Sequence, residues 1–130
     1  MTEPTDSNDA IAERWIAYYL RNGAGEKAAL DSDPDWWALE TMMALQFDDP
    51  LRALEIVFLI AHASGDAWVL TNLGAGPLEG LLADDPTFLD AIVLETTSCP
   101  NLKTALVSVW QNGMPDETYA AVRRLSGSGE

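Results

Sequence analysis

His62 is the only histidine of the chain and Cys99 is the only cysteine, so a Ser-His or Cys-His catalytic arrangement would have to use His62. Ser64, two residues from His62, faces another side of the predicted helix, and Cys99 stands in no recognised nucleophile motif. A zinc site needs three or four nitrogen or sulfur ligands, which one histidine and one cysteine cannot supply. The sequence therefore predicts no catalytic residue, no metal and no cofactor.

Carboxylates are abundant, but most of them stand where a helix is predicted to begin. A carboxylate at that position accepts hydrogen bonds from free backbone N–H groups and lies at the positive end of the helix dipole. Asp31, Asp33 and Asp35 alternate as in a calcium-binding EF-hand loop, but Met42 stands where that loop needs its final acid. The acids predicted to begin helices are Asp9, Asp33, Asp49, Asp66, Asp85 and Asp116.

A glycine-rich segment, Gly74-Ala75-Gly76-Pro77, is the one candidate for a phosphate-binding loop. It lacks the spacing of a dinucleotide or P-loop motif, follows no predicted strand and has no lysine nearby. With Gly76 as N-cap and Pro77 as the first helical residue, Glu79 falls at the third position of a helix. We therefore predict a capping box, in which the Glu79 carboxylate accepts from the N–H of Gly76.

Glu40 interrupts an apolar stripe that Trp36, Met43 and Phe47 form on the second predicted helix. We expect this carboxylate to be partly buried. It is interpreted as an edge residue, as the partner of an arginine such as Arg14 or Arg52, or as a polar contact inside a binding groove.

Trp36 and Trp37 are adjacent, so their side chains point about 100 degrees apart on a helix. Both are buried only if two neighbouring elements cover them, and we expect one to be exposed as a binding anchor. The sequence thus yields seven partner-binding candidates, Trp36, Trp37, Glu40, Asp48, Asp49, His62 and Glu79.

The elements that position these residues are all predicted to be helices. Three Asp-Pro pairs, at 33–34, 49–50 and 85–86, each place a preferred N-cap residue before a preferred first helical residue. No strand or hairpin signal competes with them. The punctuation and apolar spacing predict helices near 9–22, 34–48, 50–64, 66–73, 77–84, 86–98, 101–111 and 115–125.

The predicted fold class is all-α: a single compact bundle of seven or eight short helices, with a short helical-repeat-like stack as the alternative. The chain length of 130 residues suits one domain, which we place at 9–125, with polar tails at 1–8 and 126–130. The third helix is apolar almost all round and is expected at the centre. Two further core stripes are predicted, Ile11, Trp15, Tyr18 and Tyr19 on the first helix and Leu102, Leu106, Val109 and Trp110 on the seventh.

The net charge of −14 is concentrated in the middle of the chain, because residues 28–102 contain thirteen acids and one base, Arg52. Such a body repels phosphate backbones, which argues against direct nucleic-acid binding and favours a basic protein partner or solubility alone. The acidic N-terminus is unlike a secretory signal, and no apolar run reaches the roughly 18 residues of a membrane span. A cytoplasmic protein without membrane association is the expectation.

The segment Ala75-Gly-Pro-Leu-Glu-Gly-Leu-Leu82, with Trp110 about 28 residues further on, resembles a family of small bacterial helical proteins of unknown function. The resemblance covers roughly 68–110 and implies a helical fold in which this motif joins two helices. It implies no catalytic residue. Gly80 departs from the family pattern, in which an acid often follows the glutamate.

The resulting functional hypothesis is an acidic protein-binding module, for instance an immunity-like or inhibitor protein that caps a basic partner. One alternative is a self-associating structural or assembly subunit. Another is an enzyme or small-ligand binder near Glu40, His62 and the Gly74–Glu79 turn. The oligomeric state stays open.

Overall fold

Eight α-helices make up the part of the chain that the computed structural model describes, residues 6–22 and 33–127. No strand occurs among those residues, so the all-α prediction is confirmed. Of the predicted tails, 1–5 and 128–130 lie outside the described residues, as does Asp31. The helices are α1 (Asn8–Arg21), α2 (Trp36–Asp48), α3 (Pro50–Ala63), α4 (Ala67–Leu73), α5 (Glu79–Asp84), α6 (Leu89–Thr96), α7 (Pro100–Leu106) and α8 (Asp116–Ser126), with a π-helical turn at Gly74–Leu78 and a 3-10 turn at Pro86–Phe88.

Aspartate caps begin several elements as predicted. The Asp49 carboxylate accepts from the N–H of Arg52, that of Asp66 from two N–H groups of α4, and that of Asp85 from the N–H of Thr87. The first helix differs slightly, since Ser7 is its N-cap and Asp9 lies in its first turn. The local cap rules therefore locate these starts to within a residue or two.

The predicted start at Asp33 is wrong, because α2 begins at Trp36. The Asp33 carboxylate accepts from the N–H of Asp35 at 2.8 Å, from Asn22 Nδ2 at 3.1 Å and from the Arg21 guanidinium. The Asp33 carboxylate therefore binds side chains at the end of α1 and does not cap the first turn of α2. Burial by itself would raise the pKa of Asp33. The three donors lower this pKa by more than burial raises it, so the pKa lies below its usual value.

Helix α3 lies at the centre, as its composition predicts. It packs against α1, α2, α4 and α7, while α1 also contacts α2 and α4. These contacts between helices distant in sequence show a bundle rather than a stack in which each unit touches only its neighbours. The fully or nearly fully buried side chains of α3 are Ala53, Leu54, Ile56, Val57, Ile60 and Ala61.

Helix α2 turns a different face to the core from the one predicted. Phe47 is 77% exposed and Met43 is 46% exposed, so two members of the expected apolar stripe face solvent. The helix is apolar on several sides, and its neighbours α1 and α3 select which side is covered. The buried residues of α2 are Ala38, Leu39, Met42 and Leu45.

No new helix starts at Pro77, because residues 67–84 form one continuous helix that widens into the π-helical turn. A proline inside a helix lacks the N–H donor and its ring clashes with a preceding carbonyl, and a wider turn accommodates both effects. At Gly74 this helix lies directly on α7, since a Cβ there would be 1.9 Å from the carbonyl oxygen of Ala105. Glycine is therefore required at that contact.

The seventh helix ends at Leu106, five residues earlier than predicted. Leu102, Leu106 and Val109 are buried as expected, but Trp110 is 71% exposed. The chain leaves the helix through turns at Val107 and Ser108, so the helical spacing that placed Trp110 on the core face no longer applies.

The Asp33 contacts predict an acid-dependent contribution to stability. A carboxyl whose folded pKa is below its unfolded value stabilises the fold above the unfolded pKa and loses that effect as pH falls through the folded pKa. We expect Asp33→Asn to be less stable than the native chain by a constant margin at neutral pH and by a shrinking margin below about pH 4. Urea unfolding of both proteins between pH 3 and 7 measures this, and a margin independent of pH would contradict it.

Candidate functional site

On the surface of the described residues, α1 forms one wall of each of two grooves. The first, which we call the acidic groove, runs between α1 and α3 and has a volume of about 490 Å³. It is lined by Asp9, Ala12, Glu13, Ile16, Leu59, His62 and Ala63.

Two carboxylates one helical turn apart form the α1 side of the acidic groove. Asp9 and Glu13 are both exposed and form no ion pair within the described residues. Their i, i+4 spacing puts them on the same side of α1. Ile16 and Leu59 are partly buried and pack against the core beneath them. The groove thus combines an apolar floor with two carboxylates that have no cationic partner there.

Arg52 holds the start of α1 against α3 and so sets the acidic groove's position. Its Nε donates to Asn8 Oδ1 at 2.7 Å, and its guanidinium donates to the carbonyl oxygen of Asp6, also at 2.7 Å. Asn8 precedes Asp9, so this contact anchors the first turn from which the two carboxylates project.

His62 lies at the α3 side of the acidic groove and contacts a third helix. Its Nε2 is 2.6 Å from Oε2 of Glu95 on α6, with both side chains partly exposed. The contact is an ion pair when the imidazole is protonated. The sequence did not predict this contact, because Glu95 is 33 residues away and no local spacing relates the two residues.

The second groove, which we call the aromatic groove, lies where α1, α2 and the π-helical turn meet and has a volume of about 230 Å³. Its residues are mostly aromatic or apolar, with two carboxamides and the backbone of the π-helical turn. It is lined by Trp15, Tyr19, Leu39, Met42, Met43, Gln46, Asn72 and residues 75–77.

Four aromatic rings pack against one another in tilted and edge-on arrangements in and behind the aromatic groove. The Trp15 and Tyr19 ring centroids are 4.6 Å apart, and Tyr18 lies 5.1 Å from Tyr19 and 5.9 Å from Trp36. Burial, and secondarily the neighbouring Tyr18, raise the pKa of Tyr19 to about 12. The phenol of Tyr19 therefore stays neutral throughout the physiological pH range.

Neither Trp36 nor Trp37 is an exposed anchor, which corrects that prediction. Both are partly buried and pack against the core, and Trp36 contacts Tyr18. The exposed tryptophan is instead Trp110.

The three acids predicted on or after α2 line neither groove. Glu40 is exposed rather than partly buried and forms no ion pair within the described residues, while Arg14 pairs with Asp35 at 3.5 Å. Asp48 is exposed at the end of α2, and Asp49 caps α3. Of the seven predicted partner-binding candidates, only His62 lines either groove.

The predicted capping box at Glu79 is wrong. Gly76 lies inside the continuous helix, so it has no unpaired N-cap N–H for the carboxylate to reach. Glu79 Oε1 instead accepts from the backbone N–H of Trp110 at 2.9 Å. The residue therefore ties the segment after α7 to the first turn of α5.

The sequence does indicate one side of the acidic groove, but the interpretation of Asp9 as a helix cap drew attention away from it. Asp9 and Glu13 stand four residues apart on a predicted helix, a spacing that places both on one side. No comparable signal indicates Gln46 or Asn72, whose place in the aromatic groove depends on how α2 and α4 pack.

Two further site types are not found among the described residues. No group of three or more histidine, cysteine or acidic side chains there could hold a metal ion. Likewise, none of the described helices has both the length and the hydropathy needed to cross a bilayer.

A family model described as a family of unknown function, DUF6869, matches residues 25–128. This confirms the expected resemblance to a family without an assigned activity. No curated protein and no solved structure matches the chain. The matched range contains α2 to α8 and leaves α1 outside, so each groove has one wall beyond the family match.

The Glu79 contact predicts a local effect of mutation. We expect Glu79→Ala to cost about 1 kcal/mol of unfolding free energy, because a hydrogen bond from an N–H to a half-exposed carboxylate is lost. Hydrogen exchange should accelerate at the Trp110 amide, and Glu79→Gln, which keeps an acceptor, should show a smaller change. If hydrogen exchange accelerated at the Gly76 amide and stayed unchanged at the Trp110 amide, the capping box would be the correct interpretation.

Proposed function

We infer that this chain, which belongs to the DUF6869 family of unknown function, is an acidic protein-binding module that holds a basic, amphipathic segment of a partner protein in its acidic groove. The observation that carries the proposal is the pair of carboxylates Asp9 and Glu13 above an apolar floor, neither of which has a cationic partner in the part of the chain that the structure describes.

The groove's chemistry matches an amphipathic helix. Such a segment places apolar side chains on one face and basic side chains at i and i+4 along its border. Asp9 and Glu13 offer acceptors with that same repeat, and Ile16 and Leu59 offer the apolar surface. Basic side chains of the partner would thus meet the two carboxylates while its apolar face covers the floor.

The net charge supports the proposal at longer range. A charge of −14 attracts a basic partner from a distance and raises the rate of encounter, whereas it repels phosphate backbones. A stable interface involves about 20–30 residues on each side, whereas seven described residues line the acidic groove. We therefore assign it the centre of the interface, with the surrounding acids as the rim.

An inhibitor is the role that this chemistry fits best. An acidic surface that presents carboxylates at helical spacing can occupy the phosphate-binding face of a basic protein and block it. The role that we propose is therefore that of an immunity-like or inhibitory protein, acting in the cytoplasm. The partner would be identified by a basic, amphipathic surface rather than by an active-site motif.

The proposal is tested with a synthetic helical peptide that carries leucines on one face and lysines on the other. Titration of the ¹⁵N-labelled protein should perturb α1 and α3 around Asp9, Glu13 and His62. Binding should weaken as salt rises from about 50 to 500 mM, since the Debye length shrinks from roughly 14 to 4 Å. Asp9→Asn/Glu13→Gln should reduce affinity about tenfold, because two partly exposed ion pairs are lost.

Asp84→Asn/Asp90→Asn is the matched control, since it removes the same charge from α5 and α6, which do not line the acidic groove. We expect this control to change affinity less than about twofold at physiological salt. Equal losses in both double variants would show that only the net charge matters and would refute a site in the acidic groove.

A further inference from the structure

The aromatic groove contrasts with the rest of this acidic chain because, within residues 6–22 and 33–127, no carboxylate, lysine, arginine or histidine lines it. Among those described residues its one titratable side chain is Tyr19, whose pKa of about 12 keeps the phenol neutral. A charged ligand would lose hydration there and gain no opposite charge in return. The lining therefore favours a neutral molecule.

Two carboxamides give the aromatic groove directional hydrogen bonding. Asn72 Nδ2 donates to the carbonyl of Trp68 at 2.8 Å, which leaves Asn72 Oδ1 without a donor among the described residues. Gln46 also lines the aromatic groove, and its side chain makes no hydrogen bond to any of the described residues. A ligand with one N–H or O–H group can supply a donor to one of these amides.

The size of the groove limits the ligand to one or two rings. Sites for drug-sized molecules have volumes of about 300–1,000 Å³, and this groove has about 230 Å³. The π-helical turn forms one wall, and a Cβ at Gly76 would meet nothing within 4 Å, so space remains beside the backbone. Widened turns of this kind occur frequently at functional sites.

From these features we propose that the aromatic groove is a second site, distinct from the acidic groove, which binds a small neutral aromatic molecule with an N–H or O–H donor. Its ring would pack against Trp15, Tyr19 and Met42, and its donor would face the carboxamide of Gln46 or Asn72. The proposal does not depend on the protein-binding role, because the two grooves share no lining residue.

The test is a ¹⁵N NMR titration of the full chain with indole, alongside its cationic and anionic analogues tryptamine and indole-3-acetate. We expect saturable shifts at residues 75–77 and at the Trp15 indole N–H, complete at indole concentrations of about 1 mM. The two charged analogues should bind at least threefold more weakly. Preference for tryptamine, shifts confined to the acidic groove, or no saturation with indole would overturn the proposal.

The variant Gln46→Glu is expected to change the ratio of indole to tryptamine affinity, which a general loss of structure would not reverse. A carboxylate in the groove should weaken indole binding about threefold and strengthen tryptamine binding by a similar factor. Met43→Glu, at a side chain that is already 46% exposed, is the second variant and should show the same exchange of preference. If both variants fold and neither alters the indole-to-tryptamine ratio, the ligand does not occupy this groove.

Discussion

The close approach of Gly74 to Ala105 is the contact on which the packing of the helix of residues 67–84, and with it the aromatic groove, depends. The helix of residues 67–84 can lie on the backbone of α7 only because position 74 has no Cβ. That placement brings Glu79 within reach of the Trp110 N–H and puts the π-helical turn beside α1 and α2. One glycine therefore determines both the course of the chain after α7 and one wall of the aromatic groove.

Local rules predicted the helices well and their burial less well. The Asp-Pro pairs at 49–50 and 85–86 mark starts because capping involves only neighbouring residues, and the composition of α3 allows no position but the centre. The exposed face of α2 could not be predicted in this way. Most of its sides are apolar, so contacts with α1 and α3 decide that Leu39 and Met42 are buried while Phe47 is not.

The candidate sites show the same division. The acidic pair on α1 is visible in the sequence as an i, i+4 spacing, whereas the partners of His62 and Glu79 lie 33 and 31 residues away. The two grooves share α1 yet differ in the charge of their described lining residues: carboxylates border one of them, and the residues described around the other are neutral. Because α1 lies outside the family match, both proposals concern this chain rather than the family as a whole.

The most direct measurement compares the urea unfolding of Gly74→Ala with that of Gly76→Ala. We expect Gly74→Ala to lose on the order of 1–3 kcal/mol of unfolding free energy or more, because its Cβ meets the α7 backbone. Gly76→Ala should lose clearly less, since its Cβ meets no atom of another element within 4 Å and only the following Pro77 disfavours it in a helix. Equal stability of the two variants would contradict the contact between Gly74 and α7 and, with it, the placement of the aromatic groove.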